Sequence, residues 1–478
     1  MDGLKKHEDF EISDSGQAER KKVVRQDRLD VEDLNCNIQI GADTFKVANV
    51  SPFGIAIFAE QSLKTNSEFH GIPVLLNNVE IANVHMKFVR EVNSDKGLIC
   101  AFEVLGEPIS MSRISAVQDS ESLVNEHKES LTKFSNVPAE FKAKVFEIKE
   151  SLEDLQERVH TITNAVRGND AVDFEDYEHV VVQMVGQHIS DILPSKNDVL
   201  SSLIPQNAEL VKDCIEFFRE KLKAIIYQAP FSDRVFHKPL GYAGDYEMMN
   251  IIYKGGNNGA TPFAKCLNFH WVSQPAAQAV RNRVEYLKRK LQQTLSENKK
   301  RPLKILSVAC GPAKEWQHMI SEIQKFNDQE IEIHLLDQDE GALKHAQRKI
   351  RALSVKYPNS FKFQYINKAI KNVIARGLDD KYDLIYSAGL FDYFSDPVAQ
   401  LAATRLHQAL NPKGQLIIGN FNVSNPNSIM MDLALDWHLI YRSEADLKKM
   451  FSVLNTKIDV EKEGLGINLF CVIQNNHA

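Results

Sequence analysis

Several features are missing from this 478-residue chain, and each absence removes a class of answer. No stretch approaches the roughly 18 consecutive apolar residues that a membrane-crossing helix needs. The opening, MDGLKKHEDFEISD, has no apolar core for a secretory signal, so a cytoplasmic protein with no membrane span is expected. The 6 cysteines (Cys36, Cys100, Cys214, Cys266, Cys310 and Cys471) are scattered without CxxC spacing, and no HExxH pattern occurs among the 15 histidines. Reduced, buried thiols are therefore expected, and no metal. A net charge of −7 excludes a broadly basic surface for a nucleic acid polymer. What remains, 43% hydrophobic and 25% charged, suits a soluble globular protein of two to four domains.

The chain is organised around residues 303–346. The run ILSV, Ile305 to Val308, ends in the small residues Ala309, Cys310, Gly311, Pro312 and Ala313 before an amphipathic helix, the pattern of a buried parallel strand turning tightly into a helix. A second run, Ile331 to Leu336, ends on Asp337, and another helix follows from about Glu340. In such sheets a ligand sits beyond the carboxyl ends of the strands, where an acid on the neighbouring strand can grip ribose hydroxyls. A triphosphate loop needs a Gly-Lys-Ser/Thr ending, and this turn has none. A dinucleotide turn wants three glycines to seat a pyrophosphate on the helix N-terminus, and only Gly311 is present. S-adenosylmethionine carries no phosphate and survives both tests.

ILSVACGPA and LLDQD resemble the first two motifs of class I methyltransferases, with Ser307 where an acid is usual and Ala309 and Ala313 where glycines are usual. The resemblance implies that Ala309, Cys310, Gly311, Asp337 and Gln338 hold S-adenosylmethionine, and that Asn367, after a third strand Phe361 to Ile366, contacts its adenine. A fourth strand, Tyr382 to Ser387, leads into AGLFDYFSD and lies at the topological switch point, so Ser387, Ala388, Gly389 and Phe391 are expected near the methionine part. A fifth strand (Gln415 to Gly419) and a terminal hairpin (Thr456 to Val460, Ile467 to Ile473) complete a Rossmann-like seven-stranded methyltransferase sheet.

From about Arg20 to Glu107 short β-type runs predict a small β-barrel, with strands including Thr44 to Val50, Gly54 to Phe58, Asn83 to Val92 and Gly97 to Val104. ANVSPFG places Asn49, Ser51 and Gly54 in an N-x-S-x-x-G pattern behind the basic stretch RKKVVRQDR. This resembles PilZ domains and implies cyclic di-GMP binding by Arg25, Arg28, Asn49, Ser51 and Gly54, although the family's pair of arginines with three residues between them is matched only by Lys21 and Arg25. Guanidinium groups suit guanine faces and phosphates.

After Ser110 the texture is helical. Phe141, Val145, Ile148, Leu152, Leu155, Val159, Ile162 and Val166 recur at alternating spacings of four and three, a seam on one helix of about 28 residues. That seam needs a partner, either another helix of the same chain or a second copy in a homodimer. Amphipathic segments follow from Asp173 to Ile192 and from Asn207 to Tyr227. KPLGYAGDYEMMN, with two glycines, two tyrosines and an acid in six positions, is a turn too specific for a linker. In the next helix Val280, Val284, Leu287 and Leu291 form one face, and Arg283 is read as part of the solvated side.

KPLGYAGDYEMMN, PAAQAVRNRVEYLKR, ILSVACGPAKE, YSAGLFDYFSD and DWHLIYRSEADL together resemble bacterial biosynthesis proteins for extracellular factor, 3-hydroxypalmitic acid methyl ester, over about Leu203 to Ile473. The resemblance implies an S-adenosylmethionine-dependent methyltransferase (EC 2.1.1.-) that esterifies a 3-hydroxy fatty acid to a quorum-sensing signal. Tyr242, His438, Tyr441 and Arg442 would orient the carboxylate, and His438 would be the base if the acceptor were a hydroxyl or amine. The expected layout is a disordered tail (1–18), a PilZ-like barrel (19–110), a helical linker or bundle (111–200), a helical cap (201–300) and the catalytic domain (301–478). Two alternatives stay open: a signalling or interaction protein whose methyltransferase module is degenerate, and a methyltransferase for another small molecule or a protein.

Overall fold

The computed structural model describes residues 29–31, 34–63, 68–169, 171–196, 198–205, 207–298, 302–322, 330–357 and 361–475. The chain divides into two compact units, 1–135 and 136–478.

In the first unit, strands β1 (Leu29–Asp30), β2 (Cys36–Ile40), β3 (Asp43–Ser51), β4 (Gly54–Ala59), β5 (Glu68–Leu76), β6 (Val79–Ser94) and β7 (Gly97–Leu105) run in the order β1-β3-β2-β5-β6-β7-β4. Because β3 also pairs with β4, six antiparallel strands close into a barrel and leave no long free edge. Alternate residues point inward, as the two-residue period requires: Cys36 and Ile38, Val74 and Leu76, Ile55 and Ile57 are all at most 2% exposed. The four expected strands are present, and β2 and β5 complete the closure. Helix α1 (Met111–Lys133) starts at Ser110, whose hydroxyl accepts the Arg113 amide, and its Ile114 enters the barrel's core. Arg25, Arg28 and the 1–18 tail lie outside the described residues.

The second unit opens with helices α2 (Ala139–Val166), α3 (Phe174–Ile192), α4 (Val199–Leu203), α5 (Ala208–Ile226), α6 (Pro230–His237), α7 (Tyr246–Lys254), α8 (Pro262–Ser273) and α9 (Pro275–Glu297). The seam of α2 is buried within this chain. Phe141, Val145, Ile148, Leu152 and Val159 are at most 2% exposed and pack toward α3, α4, α5 and α8. Burying each such side chain stabilises by about 1.5 to 3 kcal/mol. Ile162 stands 41% exposed, and the neighbouring Thr163 is buried in its place.

Then come β8 (Leu303–Val308), α10 (Lys314–Ser321), β9 (Ile331–Asp337), α11 (Glu340–Lys356), β10 (Phe361–Asn367), α12 (Ile370–Arg376), β11 (Tyr382–Ser387), α13 (Asp396–Gln408), β12 (Leu410–Phe421), α14 (Ser428–Leu433), α15 (Glu444–Phe451), β13 (Ile458–Lys462) and β14 (Asn468–Gln474). The sheet order is β10-β9-β8-β11-β12-β14-β13. Strands β8 to β12 pair in parallel, and the terminal hairpin adds antiparallel to β12. Central strands are apolar on both faces because helices cover both: every residue of β11 is buried. The chain leaves β8 toward β9 on one side and returns to β11 on the other, which opens a crevice at their carboxyl ends. All six cysteines are buried free thiols, and among the described residues no helix is long and apolar enough to cross a membrane.

Candidate active site

The crevice holds a cavity of about 540 Å³. Its floor is the turn after β8. Ala309, Gly311 and Ala313 all adopt left-handed φ, at 53°, 52° and 50°, so the chain keeps a glycine-type turn with two alanines in it. Each such alanine costs on the order of 1 kcal/mol, strain of the kind tolerated where a backbone must approach a ligand. The Asp337 carboxylate closes the turn: Oδ2 accepts the Gly311 amide at 2.8 Å and Oδ1 accepts the Asp339 amide at 2.9 Å. It is 7% exposed, and burial raises its pKa against the pull of those amides.

Seven of the ten residues expected at the cofactor line the cavity: Ala309, Cys310, Gly311, Asp337, Gln338, Ala388 and Gly389. Three do not. Asn367 donates its side-chain amide to the carbonyls of Asp337 (3.2 Å) and Gln338 (2.9 Å), so it holds the loop after β9 while its neighbour Lys368 lines the cavity. Ser387 lies inside the sheet, 1% exposed. Phe391 packs against Phe394 and Phe451 in the core on another face of the sheet.

The helices supply the opposite wall. Gly241 and Gly244 take left-handed φ of 82° and 76°, and the turn between them presents Tyr242, whose hydroxyl donates to Asp339 Oδ2 at 2.7 Å. Asp245 caps α7 through the Met248 amide and pairs with Arg234 at 2.9 Å, which fixes that turn. A Cβ on Gly244 would stand 2.7 Å from the Tyr393 hydroxyl. Tyr393 in turn accepts the Trp437 indole N–H at 2.8 Å. Trp437 follows Asp436, itself at φ 50° and clamped by Lys238 and by Arg219 at 3.0 Å.

His438 lines the cavity mouth, but its ring nitrogens face Asp432 (2.8 Å) and Asp436 (3.0 Å), which leaves no lone pair directed at an acceptor. Tyr441 and Arg442 are corrections to the expected site: neither lines the cavity. The Tyr441 hydroxyl faces Met431 Sδ. Arg442 is 3% exposed, and its guanidinium donates to the carbonyls of Phe391 and Phe394, to Asn420 Oδ1 and to Asp396, so every arm serves the fold.

Sequence reasoning passed over the charged groups that do face the cavity. Arg283 is not on a solvated helix side: it stands at the cavity wall, where it meets Ala388 O at 3.4 Å, Met249 Sδ at 3.2 Å and the Tyr253 side chain. A Cβ on Gly389 would meet it at 2.7 Å. The signal was available, since residue 283 falls three after Val280 and four before Leu287, inside the apolar stripe. Glu315, 6% exposed in the first turn of α10, accepts the Tyr386 hydroxyl at 2.6 Å, and Tyr386 accepts the Trp316 indole at 2.8 Å. Burial raises the Glu315 pKa. Asp392, 2% exposed, accepts the Phe421 amide at 2.5 Å, and burial lifts its pKa to about 6. The side chain of Ser307, where an acid was expected, hydrogen-bonds Tyr386.

In the barrel, Ser51 is 6% exposed with its hydroxyl turned to the Gly54 carbonyl at 3.4 Å, so both serve the β3–β4 corner. Among the described residues Glu68, His70 and His85 bring ligand atoms within 4.8 Å of one another. The two rings lie tilted at 36° with centroids 3.7 Å apart, Glu68 pairs with Lys87 at 3.2 Å, and the buried His85 Nε2 has no hydrogen-bond partner among the residues described.

Residues 299–464 match the family model described as a methyltransferase domain. The chain carries a methyltransferase domain. Its structure is similar to a possible exported protein from Bordetella parapertussis (16% identity, 65% of this chain and 99% of that one, TM-score 0.41). It is also similar to magnesium protoporphyrin IX methyltransferase from Synechocystis (11%, 42% and 87%, TM-score 0.33) and to the N-methyltransferase NodS from Bradyrhizobium japonicum (14%, 43% and 90%, TM-score 0.29). Likenesses this distant say nothing about the acceptor. No curated protein matches the chain in sequence. The cavity brings together a carboxylate tethered by backbone amides, Asp337, a cation from α9, Arg283, and a buried carboxyl, Glu315.

Proposed function

We propose that this protein transfers a methyl group from S-adenosylmethionine to the carboxylate of a fatty acid, a 3-hydroxy acid by its sequence resemblance, giving a methyl ester. The observation that carries the reading is the joint presence in one cavity of the amide-tethered Asp337, the cavity-wall Arg283 and the buried Glu315. Asp337 would hold the ribose, Arg283 the methionine carboxylate and Glu315 its ammonium group. Bound, the cofactor supplies an electrophilic methyl on a sulfonium, which a carboxylate oxygen attacks in line as the carbon–sulfur bond breaks.

A fatty acid carboxylate, with a pKa of roughly 4 to 5 by analogy with side-chain carboxyls, is ionised at neutral pH and gives up no proton in this step. The chain therefore has to align and to exclude water. Anion and sulfonium neutralise each other on the way to products, so a dry site favours the step. The aliphatic wall of α9 (Val280, Val284, Leu287) and the 436–439 segment supply that dryness. Tyr242, fixed by Asp339, stands where it could orient the acid.

The test is incubation with methyl-labelled cofactor and a bacterial lipid extract. Alkali-labile label in the organic phase supports the ester, and label confined to protein defeats it. Calorimetric titration with S-adenosylmethionine, and its weakening in Asp337→Ala with melting temperature monitored, tests the cofactor half separately.

A further inference from the structure

The outer face of the barrel carries a side-chain cluster that methyl transfer does not use. Strands β5 and β6 pair Glu68 with Lys87 and Phe69 with Met86; the register then slips, so that His70 and Gly71 together oppose His85 before Ile72 meets Val84. Gly71 takes a left-handed φ of 63° in this bulge, an irregularity of the kind that re-aims a side chain. Phe69, Ile72 and Met86 pack in the barrel's core, while Glu68 and His70 are exposed and His85 is half-buried. The ligand atoms of Glu68, His70 and His85 all lie within 4.8 Å of one another.

His85 Nε2 is covered, yet it has no hydrogen-bond partner among the described residues. Glu68 Oε2 stands 3.7 Å from it, too far for a hydrogen bond. That gap is also shorter than the roughly 4.5 Å that a bridging water would span. It is close to the roughly 3.4 Å that separates two donors on a tetrahedral ion with bonds of about 2.0 to 2.1 Å. Lys87 Nζ takes the other carboxylate oxygen, Oε1, at 3.2 Å, and so orients Glu68 with Oε2 toward the imidazole. The His70 ring lies against that of His85, with centroids 3.7 Å apart. Two neighbours of the unpartnered imidazole are therefore a carboxylate and a second imidazole, both of them metal donors.

We infer that Glu68, His70 and His85 bind one divalent transition-metal ion of the zinc class on the outer face of the barrel, with water completing its coordination. Two imidazole nitrogens and one carboxylate oxygen are the donor set of an open zinc-type site, whereas Mg2+ asks for an octahedron of oxygens. The ion would clamp β5 to β6 across their bulge, and Lys87 would hold the carboxylate from behind, as groups outside the ligand set commonly do. The site stands independently of the methyl-transfer reading. No short spacing such as HExxH announces it, because only the β5–β6 register brings residues 70 and 85 together.

The experiment titrates Zn2+, and Mg2+ for comparison, into the full chain freed of any affinity tag and stripped of metal with a chelator. Calorimetry should show one Zn2+ bound per chain with micromolar affinity, and saturation should raise the melting temperature. His70→Gln, His85→Gln and Glu68→Gln each remove one donor and should each weaken Zn2+ about 30-fold or more. All three changes lie on the barrel's outer face, so their metal-free melts should match the wild type; should one differ, the other two carry the test. His188→Gln removes an exposed histidine that pairs with Asp191 in the other unit and should change nothing. Zn2+ binding that survives all three donor changes, or that falls equally in His188→Gln, overturns the inference. So does a wild type that binds no Zn2+ below millimolar concentration, or one that binds Mg2+ as tightly, since imidazole donors favour zinc.

Discussion

Two regions of the catalytic unit each contribute a deep arginine, and the two do opposite work. Arg442, just ahead of α15, has every arm of its guanidinium taken by carbonyls, Asn420 and Asp396. Arg283, midway along α9, has a long contact to a carbonyl, one to a thioether and a neutral hydrogen bond with the Tyr253 side chain, with open cavity in front of it. A cation that the fold has satisfied is structure. A cation left underused at a cavity wall is available to a ligand.

The contrast breaks most sharply under substitution. Arg442→Met strands the Phe391 and Phe394 carbonyls and Asn420 Oδ1, each costing about 1 to 3 kcal/mol, so a loss of at least about 3 kcal/mol in a denaturant melt is expected. Cofactor affinity of the folded protein should change little. Arg283→Met should do the reverse, weakening S-adenosylmethionine about 30-fold or more in calorimetry, roughly 2 kcal/mol, with a near wild-type melt. If both variants lost stability alone, Arg283 would not be a ligand group.

Asp392 stands between the two kinds, since it serves the fold through the Phe421 amide and also lines the cavity. Burial lifts it to about 6 from an ordinary 3.8, so between those values the folded chain keeps a proton that the unfolded chain releases. Stability therefore falls as pH rises through about 4 to 6, and the penalty is fully present above that window. Asp392→Asn keeps an oxygen for the Phe421 amide and cannot ionise. It should flatten the melting temperature across this range and gain about 3 kcal/mol at pH 7, with no gain below pH 4.

The same contrast explains what the sequence made legible. Runs such as Ile331 to Leu336 and Tyr382 to Ser387 match β9 and β11 within a residue, because a strand buried on both faces is mainly apolar, its few polar side chains (His334, Asp383) being hydrogen-bonded inside the fold. The ends of those strands carried the cofactor wall with them, since Gly311, Asp337 and Gly389 follow their strands directly. The facing wall of the cavity did not follow. It joins Arg283, Asp392 and Trp437, which are distant in sequence and meet only when α9, the segment after β11 and the segment after α14 pack together. Local pattern also misjudged partners: DWHLIYRSE is rich in polar aromatics, yet Arg442 is consumed by backbone carbonyls that no spacing reveals.

The smallest expected effect concerns the turn that the alanines strain. Ala309 and Ala313 hold left-handed φ at a cost on the order of 1 kcal/mol each; Ala313 also packs its methyl in the core, fully buried, so Ala309→Gly is the change that relieves the strain alone. Glycine also adds freedom to the unfolded chain, worth about 0.5 to 1 kcal/mol, so the net change in a melt should fall between zero and about 0.5 kcal/mol of gain. Gly311→Ala meets the opposite balance. It adds strain at φ 52°, although a Cβ there would touch no atom within 4 Å. A loss near 1 kcal/mol without a steric clash is expected, together with weaker cofactor binding, because that open space is the cavity itself. Were Ala309→Gly to cost stability as well, its methyl would be packing against the core, and the turn would be a structural corner that a ligand happens to pass.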